Sequence, residues 1–269
     1  MNSYRLTFIT PLFSKGSYDD RPEIRPPSVR GQLHWWFRAL GGSHSDEKAI
    51  FGGVHGGTIA SKVVVRVNDV IGETGKFATL PHKPDVDASF KWAFKPGVSC
   101  NLHFSTRLGG LEERLQKAFD RTLETWLLLG TLGLRATRAG GSFRWEALSS
   151  EGPAMPQTFD AWCSRCSEML GDAPLKFHLT SESFDRAEAA RFIVSDTIGG
   201  RKDRDGEDSL AQINHPLGGI NLSKDVKRKT SPLRFRIVPI AGRFHIAAVW
   251  DDRSKVTGNK PADLERLIQ

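Results

Sequence analysis

Two hydrophobic periods take turns along the first 147 residues, and their order limits the fold more than any other feature. Tyr4, Leu6 and Phe8 alternate with Arg5 and Thr7, so residues 3–10 read as a strand buried on one face and ended by Pro11. Leu33, Trp36, Phe37 and Leu40 then recur at helical spacing, and a helix follows the double proline at Pro26-Pro27. Val63, Val65 and Val67 alternate with Lys62 and Arg66 as a second strand. Residues 70–95 keep no period and collect Gly, Pro and Asp, which predicts an insertion or long loop. Cys100, Leu102 and Phe104 mark a third strand. Residues 112–129 form the clearest helix, with Leu115, Phe119, Leu123, Trp126 and Leu127 on one face, and 143–147 give a fourth strand.

Strand, helix, strand, strand, helix, strand is the βαββαβ order of a ferredoxin-like fold, a frame that names no function by itself. After a break at 149–156 the chain repeats a looser version. Residues 158–170 are helical, 175–180 a strand and 185–195 helical; 199–208 is a charged, glycine-bounded loop. Leu233, Phe235 and Ile237 alternate with Arg234 and Arg236, and a turn at Ala241-Gly242 leads to Phe244, Ile246 and Ala248. A last helix follows Pro261. The expected class is α+β with two ferredoxin-like domains, 1–150 carrying a glycine-rich loop and 151–269 degenerate.

Charge points to the partner. The 269 residues hold 38 Lys+Arg against 31 Asp+Glu, a formal +7, which tilts modestly toward a polyanion. No apolar run reaches membrane-spanning length, and the first residues lack a signal-peptide pattern. Cys100, Cys163 and Cys166 cannot all pair, so a reducing cytoplasm is expected. Cys163 and Cys166 form a CxxC with no second half, which suits a structural role better than a metal site.

Three stretches offer anion-binding chemistry. From Arg25 to Ser45 there is no acid. Ser28 stands where an N-cap belongs; Arg30, His34 and Arg38 form a cationic stripe beside the apolar face, Trp35 points away from both, and Gly31 lies in the same stretch. An open helix N-terminus and that stripe suit a phosphate chain, although a core helix with solvated arginines reads the same way. The second stretch follows the long helix: Gly133, Gly140, Gly141 and Ser142 would expose backbone N–H groups, and Arg135 and Arg138 would supply fork donors. No GxxxxGK[ST] is present, and a plain glycine-rich turn is the alternative. The third is the basic run 224–236, with Lys227, Arg228 and Lys229 at its centre, equally an ordinary solvated loop.

The helix motif PPSVRGQLHWWFRAL, the IFGG at Ile50 and the loop LGLRATRAGGSF together resemble the RAMP superfamily of CRISPR-associated proteins, in the form found in the type III-B (Cmr) effector complex. Thr10-Pro11-Leu12-Phe13 and the SPLRFRI at Ser231 fit as well. The resemblance implies a cytoplasmic ribonucleoprotein subunit at the 3′ end of a guide RNA. Its partners would be guide RNA, complementary target RNA and the other subunits, with no membrane, metal or cofactor. Arg25, Arg30, Arg38, Arg135 and Arg138 would grip phosphates, and Trp35 would stack on a base.

That role is non-catalytic. The rival is a metal-independent endoribonuclease with His34 as general base, for which the sequence offers no positioned partner. A third possibility is an oligomeric scaffold in which the apolar run 125–132 is an interface.

Overall fold

A computed structural model describes residues 2–18, 21–54, 57–81, 90–150, 152–199, 233–251 and 253. Strand β1 (Asn2–Phe8) buries Tyr4, Leu6 and Phe8 as its alternation requires. It leads through residues 9–25 into α1 (Pro26–Ala39) and α2 (His44–Phe51). Strands β2 (Val63–Ile71), β3 (Thr74–Ala78), β4 (Phe90–Phe94) and β5 (Ser99–Thr106) precede α3 (Glu113–Leu129) and β6 (Phe143–Ala147). Then come α4 (Phe159–Leu170), β7 (Leu175–Phe184), α5 (Ala187–Gly199), β8 (Arg234–Ile240) and β9 (Arg243–Asp251).

The first sheet has the order β2-β5-β1-β6, every pair antiparallel, with Leu6 opposite Cys100 on one side and Trp145 on the other. Val29, Leu33, Trp36 and Phe37 of α1 and Phe119, Leu123, Trp126 and Leu127 of α3 join its buried face in one core. The second sheet, β7-β9-β8, is sandwiched. Val238, Ile240, Ala247 and Val249 enter that same core, while Phe235, Ile237, Ile246 and Ala248 meet Ala190 and Val194 of α5.

Several expectations change. Residues 70–95 are not a plain loop: β2 runs on to Ile71, and β3 pairs with β4 from Thr74–Phe94 to Ala78–Phe90. The hairpin is mostly exposed on both faces, so no buried stripe wrote a period into the sequence. Ser28 is not the N-cap of α1. Pro26 and Pro27 take the first helical positions, which their fixed φ favours, and Arg25 becomes the cap residue with no side-chain capping bond. The helix closes as expected, with Gly41 at φ +89° and its N–H on Arg38 O while Gly42 N–H reaches Phe37 O.

The apolar run 125–132 is core rather than an outer interface: Trp126, Leu127, Leu128 and Leu132 are fully buried beneath the second half of the chain. Cys100 and Cys166 are buried thiols whose pKa burial pushes up to about 12, and burial raises that of Cys163 as well. No cluster of three or more metal-ligating side chains occurs among the described residues. Among them, too, no helix is long and apolar enough to cross a membrane.

Candidate nucleic-acid interface

The glycine-arginine loop is a locked structure. Its centre is a short 3₁₀ turn, Ala136–Arg138, bracketed by two non-glycine residues in the left-handed region, Arg135 at φ 62° and Ala139 at φ 57°. Such residues are strained and persist only where their surroundings over-determine them. Here the determinant is Thr10, just beyond β1. Its hydroxyl donates to Ala139 O at 2.8 Å and accepts from Ser142 N–H at 2.9 Å. Ser142 Oγ donates to the same carbonyl at 2.9 Å and accepts from Ile237 N–H of β8 at 3.0 Å. The turn carrying Arg135 and Arg138 is thereby pinned to both sheets.

This locking corrects the expected role of the glycines. Gly140 N–H donates to Arg135 O, Gly141 N–H to Pro11 O and Ser142 N–H to Thr10, and all three residues are buried. They offer no donors to a ligand. Gly133 (φ +85°) and Gly141 (φ +66°) instead admit backbone: a Cβ at Gly133 would stand 2.5 Å from Phe13 O, and one at Gly141 2.0 Å from Leu132 O.

Helix α1 is also less open than its sequence suggests. Pro26 and Pro27 carry no N–H, and Ser28 and Val29 both donate to Arg25 O. The helix N-terminus therefore holds no free donors for a phosphate, and Arg25 and Ser28 are half-buried. The stripe itself stands, with Arg30, Gly31 and Arg38 exposed. Its acid-free character does not. Glu47 of α2, only 8% exposed, hydrogen-bonds His34 Nδ1 at 2.5 Å and lies 3.6 Å from Arg38 Nε. His34 also packs 4.7 Å from the Phe51 ring, centroid to centroid. A carboxylate distant by thirteen residues in sequence supplies the partner that the stripe lacked on paper.

The basic run ending in Arg236 divides. Lys227, Arg228 and Lys229 lie outside the described residues, as do the loop 200–208 and the last helix. Arg234 is half-buried and Arg236 fully buried. The Arg234 guanidinium stacks 3.5 Å above the Trp35 ring, and burial draws its pKa down to about 10. Trp35 is thus half-buried, one face already covered and its edge against Trp36. Arg236, 1% exposed, points the other way into the core. Its Nη1 donates to Leu127 O at 2.5 Å and Gly130 O at 2.7 Å, its Nη2 to Phe143 O. The charge sits at the negative end of α3 and 4.4 Å from the Phe143 ring centre. Burial lowers its pKa to about 9, which leaves it charged at neutral pH.

Strand β8 therefore joins the parts: Arg234 holds α1 through Trp35, Arg236 holds the end of α3, and Ile237 holds Ser142. Thr10 and Glu47 do not show as site residues in the sequence because each acts across a long separation, and for Arg234, inside the basic run, the sequence does not show Trp35 as its partner. The only local signal was Thr10 standing before Pro11 at a strand end.

Fold and site together define an α+β protein with two main sheets and a separate hairpin, in which an arginine-bearing turn is clamped against the chain that follows β1. The chain belongs to the RAMP superfamily, whose family model matches residues 5–144. It is similar to the CRISPR system Cmr subunit Cmr1-1 of Pyrococcus furiosus, 32% identical over 148 residues, 48% of this chain and 43% of that protein. Subunit Cmr1-2 of the same organism is 28% identical over 187 residues, 54% of this chain and 95% of that one. The chain spans less than half the length of Cmr1-1 in this match. Its fold is like that of apo Cmr1 from P. furiosus, with a TM-score of 0.62 at 17% identity, covering 93% of this chain and 87% of that one. A chain of the type III-B Cmr-beta complex bound to cognate target RNA gives 0.59 at 12% identity, with 99% and 98% covered.

Proposed function

We propose that this protein is an RNA-binding subunit of a type III-B CRISPR effector complex. It grips the sugar-phosphate backbone of guide and target RNA toward the 3′ end of the guide, and it does not cut. Partner subunits and base pairing supply what it lacks: sequence reading. The relatives' names as Cmr subunits support the complex, and the RNA-bound neighbour supports the ligand. The strand order β2-β5-β1-β6 suits a ferredoxin-like first half, and the helix-strand-helix-strand-strand remainder suits a degenerate second.

The observation that carries the reading is the strained turn at Arg135–Ala139. Two arginines on a turn fixed from both sides lose little freedom when they meet a phosphate chain. The double variant Arg135→Ala, Arg138→Ala is expected to weaken binding of every single-stranded RNA tried. Its salt dependence, measured by fluorescence anisotropy, should flatten by about 1.4 in log-log slope, two contacts at ~0.7 each. Unchanged affinity and slope would remove the loop from the interface.

One observation favours the nuclease alternative: the Glu47 carboxylate orients His34 through Nδ1, as an orienting group does for a general base. We expect labelled RNA to stay intact with the purified protein and a chelator. Cleavage that disappears in His34→Ala would replace gripping with cutting.

A further inference from the structure

Where the fold takes an arginine out of water it usually meets the charge. Arg236 has its three carbonyls. Arg191 of α5, also buried, has Glu188 Oε1 at 2.6 Å and the carbonyls of Ala78 and Thr79 at 3.2 and 3.4 Å. Arg234, at the start of β8, has neither kind of partner. Among the described residues no carboxylate pairs with its guanidinium and no acceptor takes its N–H groups; burial lowers its pKa, and no carboxylate pulls the other way. A charge drawn partly out of water with no counter-charge is a cost that the Trp35 ring offsets only in part.

A second observation concerns access. The guanidinium carbon lies 3.5 Å from the centre of the Trp35 ring, the contact distance of two flat groups, so the stack uses a face and leaves the N–H donors around the rim. Those donors reach the surface. Nε of Arg191 and Nε of Arg236 are sealed off without a partner, whereas no nitrogen of Arg234 is. A helical side chain leans over the turn N-terminal to its own Cα, which places the Trp35 ring toward Gly31. Gly31 is exposed, and a methyl added there would meet no atom within 4 Å. Arg38, three residues on from Trp35, adds an exposed guanidinium to the same side of α1.

We propose that Arg234 is a phosphate-binding residue, held flat on Trp35 so that its free donors meet the sugar-phosphate backbone of an RNA strand crossing α1 at Gly31. This rests on the reading of the protein as an RNA-binding subunit. A phosphate supplies the counter-charge that the fold omits, and the planar fork of a guanidinium matches its oxygens. Trp35 is then the platform beneath the arginine rather than a surface for a base. The fold itself does not need the charge, which sets Arg234 apart from Arg236.

Fluorescence anisotropy of the full chain with labelled single-stranded RNA over a salt series, together with urea denaturation of the same preparations, tests this. Arg234→Met keeps a stem and a sulfur contact with the indole while removing the charge. It is expected to weaken RNA binding by roughly tenfold and to flatten the log-log salt slope by about 0.7, one phosphate contact. Its urea midpoint should equal or exceed the parent's. Arg234→Lys keeps the charge without the fork, and should hold the parent's slope at an intermediate affinity. Arg243→Met removes a guanidinium that Asp185 and Ser183 already hold, and should change neither affinity nor slope. A lowered urea midpoint in Arg234→Met makes the stack a clamp between β8 and α1 and overturns the proposal. An equal loss of affinity in Arg243→Met reduces the effect to net charge and overturns it too. A parent that binds no RNA fails the reading beneath the proposal; a parent and an Arg234→Met variant that bind alike fail the proposal alone.

Discussion

Replacing Arg236 with methionine is expected to lower the unfolding free energy by about 3 kcal/mol. The methionine refills the volume of the stem, so little of the loss comes from a cavity. It comes from Leu127 O, Gly130 O and Phe143 O, which lose their shared donor in a place that water does not reach. Each such acceptor costs about 1–3 kcal/mol when stranded, tempered because carbonyls tolerate partial satisfaction better than amides. Lysine should recover only part of the loss, since a single ammonium cannot match a planar fork that spans a helix end and a strand. Urea denaturation at neutral pH measures both variants. A midpoint equal to the parent's for methionine would show the charge to be dispensable.

A comparable loss is expected from Gly141→Ala, and almost none from Gly31→Ala. At Gly141 the new methyl would meet the Leu132 carbonyl at 2.0 Å in a backbone at φ +66°, so the chain itself has to move. About 2–4 kcal/mol is a reasonable scale for strain and clash together. RNA affinity should fall too, because the movement unseats the turn that holds Arg135 and Arg138. Gly31 is exposed on α1, with no atom within 4 Å of the new methyl. Alanine there should stabilise by up to about 1 kcal/mol through helix propensity. Thermal melts separate the two. If Gly31→Ala stabilises the fold yet weakens RNA binding, the backbone of α1 is where RNA approaches most closely.

The sequence was most legible where burial is one-sided. Tyr4, Leu6 and Phe8, or Leu115 and Phe119 in the first turns of α3, had to write their period because water lies on the other side. It misled where both faces share one fate. The β3–β4 hairpin buries only Ala93 and Phe94, at one end of β4, and showed no period at all. In β8 the arginines belong to a run that reads as solvated, yet Arg234 is half-buried against Trp35 and Arg236 lies in the core. Nothing local distinguishes a buried guanidinium from a surface one; its acceptors come from residues 93 to 109 positions away. The site was read in the same uneven way. The arginines of α1 and of the loop were found from charge spacing. Their supports, Thr10, Glu47 and Arg234, depend on which segments the fold brings together.

The reach of Arg236 also orders events during synthesis. The end of α3 and the start of β6 leave the ribosome some hundred residues before the guanidinium that ties them, a delay of about 5–20 s at ordinary elongation rates. Over that interval the arginine-bearing turn has the Thr10 and Ser142 bonds available to it but not the one from Ile237 of β8. The last anchor of the turn therefore arrives late in translation, when β8 emerges.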